Sequence, residues 1–65
     1  MAQFSTLTDS QLAEYCGDGC TEYEAGRVRM YATHAGYRDT DDVPDAKWLD
    51  FCGWAFCDAI ANERA

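Results

Sequence analysis

The sequence predicts an all-α fold, a compact three-helix domain that covers residues 1–65 as a single unit. Two capping motifs and one proline divide the chain into three segments of helical length. Apolar residues make up 48% of the chain and aromatic residues 14%, which is enough to build a core in so short a chain. No internal repeat, low-complexity tract or linker indicates a second domain.

The first predicted helix begins after Thr8 and runs to about Cys16. Thr8 and Gln11 match a capping box, in which the threonine hydroxyl and the glutamine side chain each satisfy a backbone N–H. Gly17 can adopt the left-handed conformation that ends many helices. The residues expected to form the buried stripe of this helix are Leu12, Tyr15 and Cys16.

The second predicted helix begins with another capping box, Thr21 with Glu24, and stops at Gly36. One face carries Val28, Tyr31, Ala32 and Ala35, which recur at helical spacing. An alternative interpretation is a short strand near residues 27–33, because apolar residues alternate there with arginines. That strand would make the fold α+β.

The third predicted helix begins at Pro44, a position where a helix loses nothing from a missing N–H. Asp45 in its first turn suits the positive end of the helix dipole. Apolar residues wrap more than half of its circumference, so this helix is expected to be the hydrophobic centre of the fold or to be partly buried in a partner. Those residues are Trp48, Leu49, Phe51, Cys52, Trp54, Ala55, Phe56, Ala59 and Ile60.

The expected location is the bacterial cytoplasm. No segment approaches the ~20 apolar residues of a membrane span. The first residues also lack the basic and apolar regions of a signal peptide. In a reducing cytoplasm the four cysteines are expected to be free thiols rather than a disulfide framework.

The cysteines and the single histidine are candidates for a metal site or for a catalytic pair. Cys16 and Cys20 have a spacing found between zinc ligands. A site with four ligands would add His34 and one of Cys52 or Cys57. Cys52 and Cys57 lie five residues apart on one helix and point in different directions. A domain this small has little room for a pocket that excludes water. We therefore predict no enzyme activity, no metal and no cofactor; a small cysteine-based zinc module is an alternative.

Charge is the strongest global feature. Twelve acidic residues against five basic ones give a net charge of −7. This sign opposes direct binding of nucleic acid or of an anionic membrane, and it favours a basic protein surface as partner. The acids form two blocks, one at each connection between helices, with a basic segment between them. In an up-and-down bundle these connections lie at opposite ends, roughly 20 Å apart.

The two acidic blocks, "EYCGDGCTEYE" and "DTDDVPD", carry a family resemblance. The chain resembles the small acidic inhibitor proteins of bacterial viruses, in particular the anti-CRISPR proteins of the DNA-mimic type. The resemblance implies a non-enzymatic inhibitor that binds a basic nucleic-acid-binding surface of a host protein complex, such as a CRISPR Cascade effector. These inhibitors share no sequence motif, so the resemblance assigns no role to any single residue.

The predicted partner-binding surface combines the acidic blocks with exposed aromatic anchors, Tyr37 and one of Trp48 and Trp54. The protein is expected to be a monomer whose partner is a basic nucleic-acid-binding host protein, for example a Cascade subunit. An alternative is a helical interaction module that packs through the third helix. The predicted partner-binding residues are Glu14, Asp18, Glu22, Glu24, Asp39, Asp41, Asp42, Asp45, Asp50 and Tyr37.

Overall fold

The computed structural model describes residues 2–17 and 19–64. It contains three α-helices, α1 (Asp9–Cys16), α2 (Glu22–His34) and α3 (Asp45–Arg64). Two short 3-10 turns, Phe4–Thr6 and Thr40–Asp42, precede α1 and α3. The all-α prediction is confirmed. The α+β alternative is wrong, because residues 27–33 lie inside α2.

The predicted capping boxes fix the starts of α1 and α2. The Thr8 hydroxyl accepts from the Gln11 N–H at 3.1 Å, and Gln11 accepts from the Thr8 N–H at 2.9 Å. The Thr21 hydroxyl accepts from the Glu24 N–H at 3.2 Å, and the Glu24 carboxylate accepts from the Thr21 N–H at 3.4 Å. Each box satisfies N–H groups that the first turn of a helix leaves unpaired.

The predicted helix ends are also confirmed. Gly17 follows α1 with φ of 111°, and its N–H donates to the carbonyl of Ala13 at 3.3 Å. Gly36, with φ of 95°, lies two residues after the end of α2. The Pro44 carbonyl accepts from Lys47 and Trp48, which starts the hydrogen-bond ladder of α3.

Buried apolar side chains from every element form one core. The segment before α1 takes part because it pairs with the connection between α2 and α3. The Phe4 N–H donates to the Arg38 carbonyl at 3.0 Å, and the Thr40 N–H donates to the Ala2 carbonyl at 2.9 Å. This pairing places Phe4 over the core with 1% of its surface exposed. The buried residues are Phe4, Leu12, Ala25, Val28, Ala32, Val43, Phe51 and Ala55.

The central helix is α2, not α3 as the sequence analysis predicted. α2 packs against both α1 and α3. On α3, Phe51 and Ala55 are buried, but Leu49 is 76% exposed and Phe56 is 58% exposed. The small residues of α2 let two neighbours approach it, whereas α3 has a principal helical neighbour on one side only.

Two further burial predictions are wrong for a related reason. Tyr15 is 50% exposed, although it was expected in the buried stripe of α1. Ala35 is exposed because α2 ends at His34 and the chain turns away there. Helical periodicity identifies a candidate face, but the neighbouring elements decide how much of that face they cover.

Aromatic rings join α2 to α3. Tyr31 stacks against Phe51 with ring centres 6.4 Å apart and meets Trp54 edge-on at 5.4 Å. Tyr37, just beyond α2, meets Phe51 edge-on at 6.2 Å. Residues late in α2 therefore contact residues in the middle of α3.

Candidate partner-binding surface

The two arginines of α2 bind acids that lie outside the predicted partner-binding set. Arg27 Nε lies 3.0 Å from Asp58 Oδ2. Arg29 lies 3.3 Å from Asp9 Oδ1 and also donates to the carbonyl of Leu7. The two arginines that lie between the acidic blocks in α2 are thus held by Asp58 and Asp9.

Asp58 also accepts a hydrogen bond from the Tyr31 hydroxyl. This bond, followed by the one from Arg27, lowers the pKa of Asp58 below its ordinary value. The charged form of Asp58 is therefore favoured, and it joins α3 to two residues of α2.

The first acidic block surrounds the connection between α1 and α2. Glu14 and Glu22 are exposed and line the same shallow depression. Glu24 is half-buried, and its carboxylate accepts from both the N–H and the hydroxyl of Thr21. Asp18 lies outside the described residues. Glu14 and Glu22 are therefore the described members of this block that best suit a partner.

The second acidic block surrounds the connection between α2 and α3. Asp39 is half-buried, and its Oδ1 accepts from the Asp41 N–H at 3.0 Å, which caps the 3-10 turn. This structural role of Asp39 was missed in the sequence analysis. The exposed carboxylates of this block are Asp41, Asp42, Asp45 and Asp50.

A groove brings acidic and apolar groups together beside the second block. Asp41 and Asp45 line it together with Tyr15 from α1 and with Trp48 and Leu49 from α3. We call these five residues the acidic groove. Carboxylates next to aromatic and aliphatic surface suit an arginine or lysine side chain, whose methylene groups pack while its charge meets a carboxylate.

Tyr15 links the two acidic blocks. Tyr15 lines the acidic groove, while Glu14, the preceding residue, lines the depression shared with Glu22. The last turn of α1 therefore contributes to both acidic areas. Tyr15 was not among the predicted site residues, although its position inside the first acidic block is a signal that could have identified it.

The predicted aromatic anchors differ in exposure. Tyr37 is half-buried and packs against Phe51, so it presents less surface than an exposed anchor would. Trp48 is half-buried, with its ring centre 6.0 Å from that of Phe4. Trp54 is 48% exposed. Among the three predicted anchors, Trp54 offers the most open surface, and Trp48 belongs to the acidic groove.

The zinc set considered from the sequence is not assembled. Within residues 2–17 and 19–64, no group of three histidine, cysteine or acidic side chains is arranged to hold a metal ion. His34 is exposed at the last residue of α2, whereas Cys20 precedes the first residue of that helix. The length of α2 therefore separates His34 from Cys20.

The comparisons with known proteins identify no relative of this chain. No family model matches it, and neither does any curated protein or solved structure. No helix in the part of the chain that the structure describes is long and apolar enough to cross a membrane.

Proposed function

We propose that the protein is a non-enzymatic inhibitor that acts in the bacterial cytoplasm by acidic mimicry of DNA. It would bind a basic nucleic-acid-binding surface of a host protein complex, such as a CRISPR Cascade effector. One observation carries the proposal: Arg27 and Arg29 are held by Asp58 and Asp9 rather than by the acidic blocks. The net charge is −7, and most of the described carboxylates of the two acidic blocks are exposed.

The length of α2, with acidic residues at its start and shortly beyond its end, supports mimicry of a duplex. The blocks flank α2, which has 13 residues and is therefore about 20 Å long. Phosphates repeat about every 3.4 Å along each strand of a DNA duplex. The two ends of α2 are thus separated by about six phosphate repeats of such a duplex.

The acidic groove supplies apolar contact surface, which charge alone does not provide. Exposed charges steer association and determine its salt dependence, while buried apolar contacts contribute most of the affinity. A basic side chain of the partner would place its aliphatic part against Trp48 and Leu49. Its charged end would meet Asp45 at the start of α3.

Competition with DNA tests this proposal. A labelled DNA duplex bound to a purified Cascade effector is titrated with the protein, and fluorescence anisotropy reports release of the duplex. We expect displacement at about 0.05 M salt and much weaker displacement at about 0.5 M salt, because salt screens exposed charges. A duplex that stays bound at both salt concentrations would contradict a Cascade effector as the target.

Two variants with the same net charge separate a specific surface from a general charge effect. Asp42→Asn with Asp45→Asn removes two charges from the second acidic block, and Glu63→Lys makes the same change in charge near the end of α3. We expect the double variant to lose at least about tenfold in displacement and Glu63→Lys to keep nearly all of it. Equal losses would show that net charge, not the acidic surface, is responsible.

A second candidate function is a helical interaction module that packs through α3. The supporting observation is the exposure of Leu49 and Phe56, at 76% and 58%. The two side chains lie seven residues apart and therefore share one face of the helix. This function predicts association that is insensitive to salt and is lost in Leu49→Ser with Phe56→Ser. The proposed inhibitor predicts salt-sensitive association instead.

A further inference from the structure

Three cysteines from separate parts of the chain lie around one cavity. Cys16 ends α1, Cys20 lies just before α2, and Cys52 lies in the middle of α3. All three line the same cavity and pack against the hydrophobic core. Cys57 is exposed and does not line this cavity. The fold therefore assembles a three-thiol cluster, Cys16, Cys20 and Cys52, which the sequence analysis considered only as part of a zinc site with His34.

Cys16 is the common member of this cluster. Cys16 and Cys52 also line the acidic groove together, so these two residues are neighbours in both cavities. Burial, followed by interaction with Cys20 and Cys52, raises the pKa of the Cys16 thiol. The pKa values of Cys20 and Cys52 are also raised, mainly by burial. Cys16 thus shares one cavity with Cys20 and two cavities with Cys52.

We propose that the three-thiol cluster is a redox-modification site in which Cys16 forms one intramolecular disulfide, with either Cys20 or Cys52. The oxidant is a small-molecule disulfide of the glutathione class. Convergence on one cavity places both candidate partners beside Cys16. The bridge to Cys52 would join α1 to α3, two helices that otherwise pack mainly through α2.

The reaction proceeds by two exchange steps. A cluster thiol loses its proton, and its sulfur attacks the small disulfide; a protein–glutathione S–S bond forms, and one glutathione thiolate leaves. A second cluster thiolate attacks the protein sulfur, forms the internal S–S bond and releases the second glutathione. The two released glutathione thiolates take up the two protons that the cysteines lost. Two cysteine thiols are thus oxidised, and one small disulfide is reduced to two thiols.

The rate of disulfide formation should depend on pH. The thiolate is the attacking species, and burial holds the cluster as neutral thiols near neutral pH. We expect the reaction to be slow near pH 7 and to accelerate as the pH rises.

The test is incubation of the folded protein with oxidised glutathione, followed by alkylation and peptide mapping by mass spectrometry. We expect loss of two hydrogens and peptides that link Cys16 to Cys20 or Cys52. Cys57→Ser is the matched control and should form the same bridges. Cys20→Ser should form the Cys16–Cys52 bridge, and Cys52→Ser the Cys16–Cys20 bridge.

The Cys16→Ser variant tests whether Cys16 is required for the internal disulfide. We expect this variant to form no internal disulfide while it remains helical by circular dichroism. A Cys20–Cys52 bridge, in this variant or in the wild type, would overturn the proposal, and so would glutathione adducts without any internal bridge. If Cys16→Ser does not fold, the peptide map of the wild-type protein decides the question.

Discussion

Arg27 and Asp58 join α2 to α3 through an ion pair, with Arg27 Nε 3.0 Å from Asp58 Oδ2. The Tyr31 hydroxyl donates to the same carboxylate oxygen. The Arg27 guanidinium also lies over the Tyr31 ring, 5.6 Å from its centre. These three side chains hold the middle and later part of α2 against the second half of α3, and they use a carboxylate outside the two acidic blocks.

The Asp58 contacts predict a specific response to acid. Because Tyr31 and Arg27 lower the pKa of Asp58 below 3.8, the contribution of these contacts to stability is complete above about pH 3.8. That contribution is lost as the pH falls through the lowered pKa. We expect the melting temperature of the wild type to fall more steeply below about pH 4 than that of Asp58→Asn. Circular dichroism measures both profiles.

Asp50→Asn is the control for this acid response. Asp50 is exposed on the same helix, so this variant should keep the acid slope of the wild type. Parallel profiles for the wild type and Asp58→Asn would refute the stabilising role of the Asp58 contacts.

Two leucines test the placement of the core. Leu12 is fully buried and Leu49 is 76% exposed. Leu12→Ala should lower the free energy of unfolding by about 2–5 kcal/mol, because it removes buried methyl groups and leaves a cavity. Leu49→Ala should change it by no more than about 0.5 kcal/mol. Urea denaturation measures the change in both variants, and similar losses would contradict the burial of Leu12 in the core and the exposure of Leu49 on α3.

Two glycines predict opposite effects of substitution by alanine. A Cβ on Gly26 would lie 3.7 Å from Asp9 Oδ2, an ordinary contact distance, so Gly26→Ala should stabilise α2 by up to about 1 kcal/mol. Gly36 has φ of 95°, a conformation that residues with a side chain rarely adopt. Gly36→Ala should therefore lower the free energy of unfolding by about 1 kcal/mol or more. Thermal unfolding compares the two variants. A loss at Gly26 would mean that Asp9 cannot accommodate the added methyl group.

Removal of the Thr40 hydroxyl group is expected to stabilise the protein. Thr40 is 4% exposed, and its Oγ1 has no hydrogen-bond partner among the described residues. Valine has the same shape without the polar atom, so Thr40→Val should raise the free energy of unfolding by about 1 kcal/mol. Thr21→Val removes the cap of α2 and should lower it by about 1 kcal/mol. If both variants lose stability in urea, Thr40 has a partner that offsets its burial.

The limits of each helix followed from local chemistry. Thr8 and Thr21 interact with residues three positions along the chain, so their capping motifs can be recognised in the sequence without any knowledge of the fold. Gly17 and Gly36 mark the ends for an equally local reason, since each adopts a positive φ. The exposed acids were also predictable, because charged side chains are rarely buried without a partner.

The sequence by itself determined where the helices begin and end, the net charge and the two acidic blocks, because these properties depend on neighbouring residues or on composition. Only the tertiary structure decided that α2 is central and that Asp58 and Asp9 hold the arginines of α2. It also decided that Tyr15 is exposed in a groove. The physical reason is that helical periodicity indicates which residues share a face, whereas burial depends on which elements pack against that face.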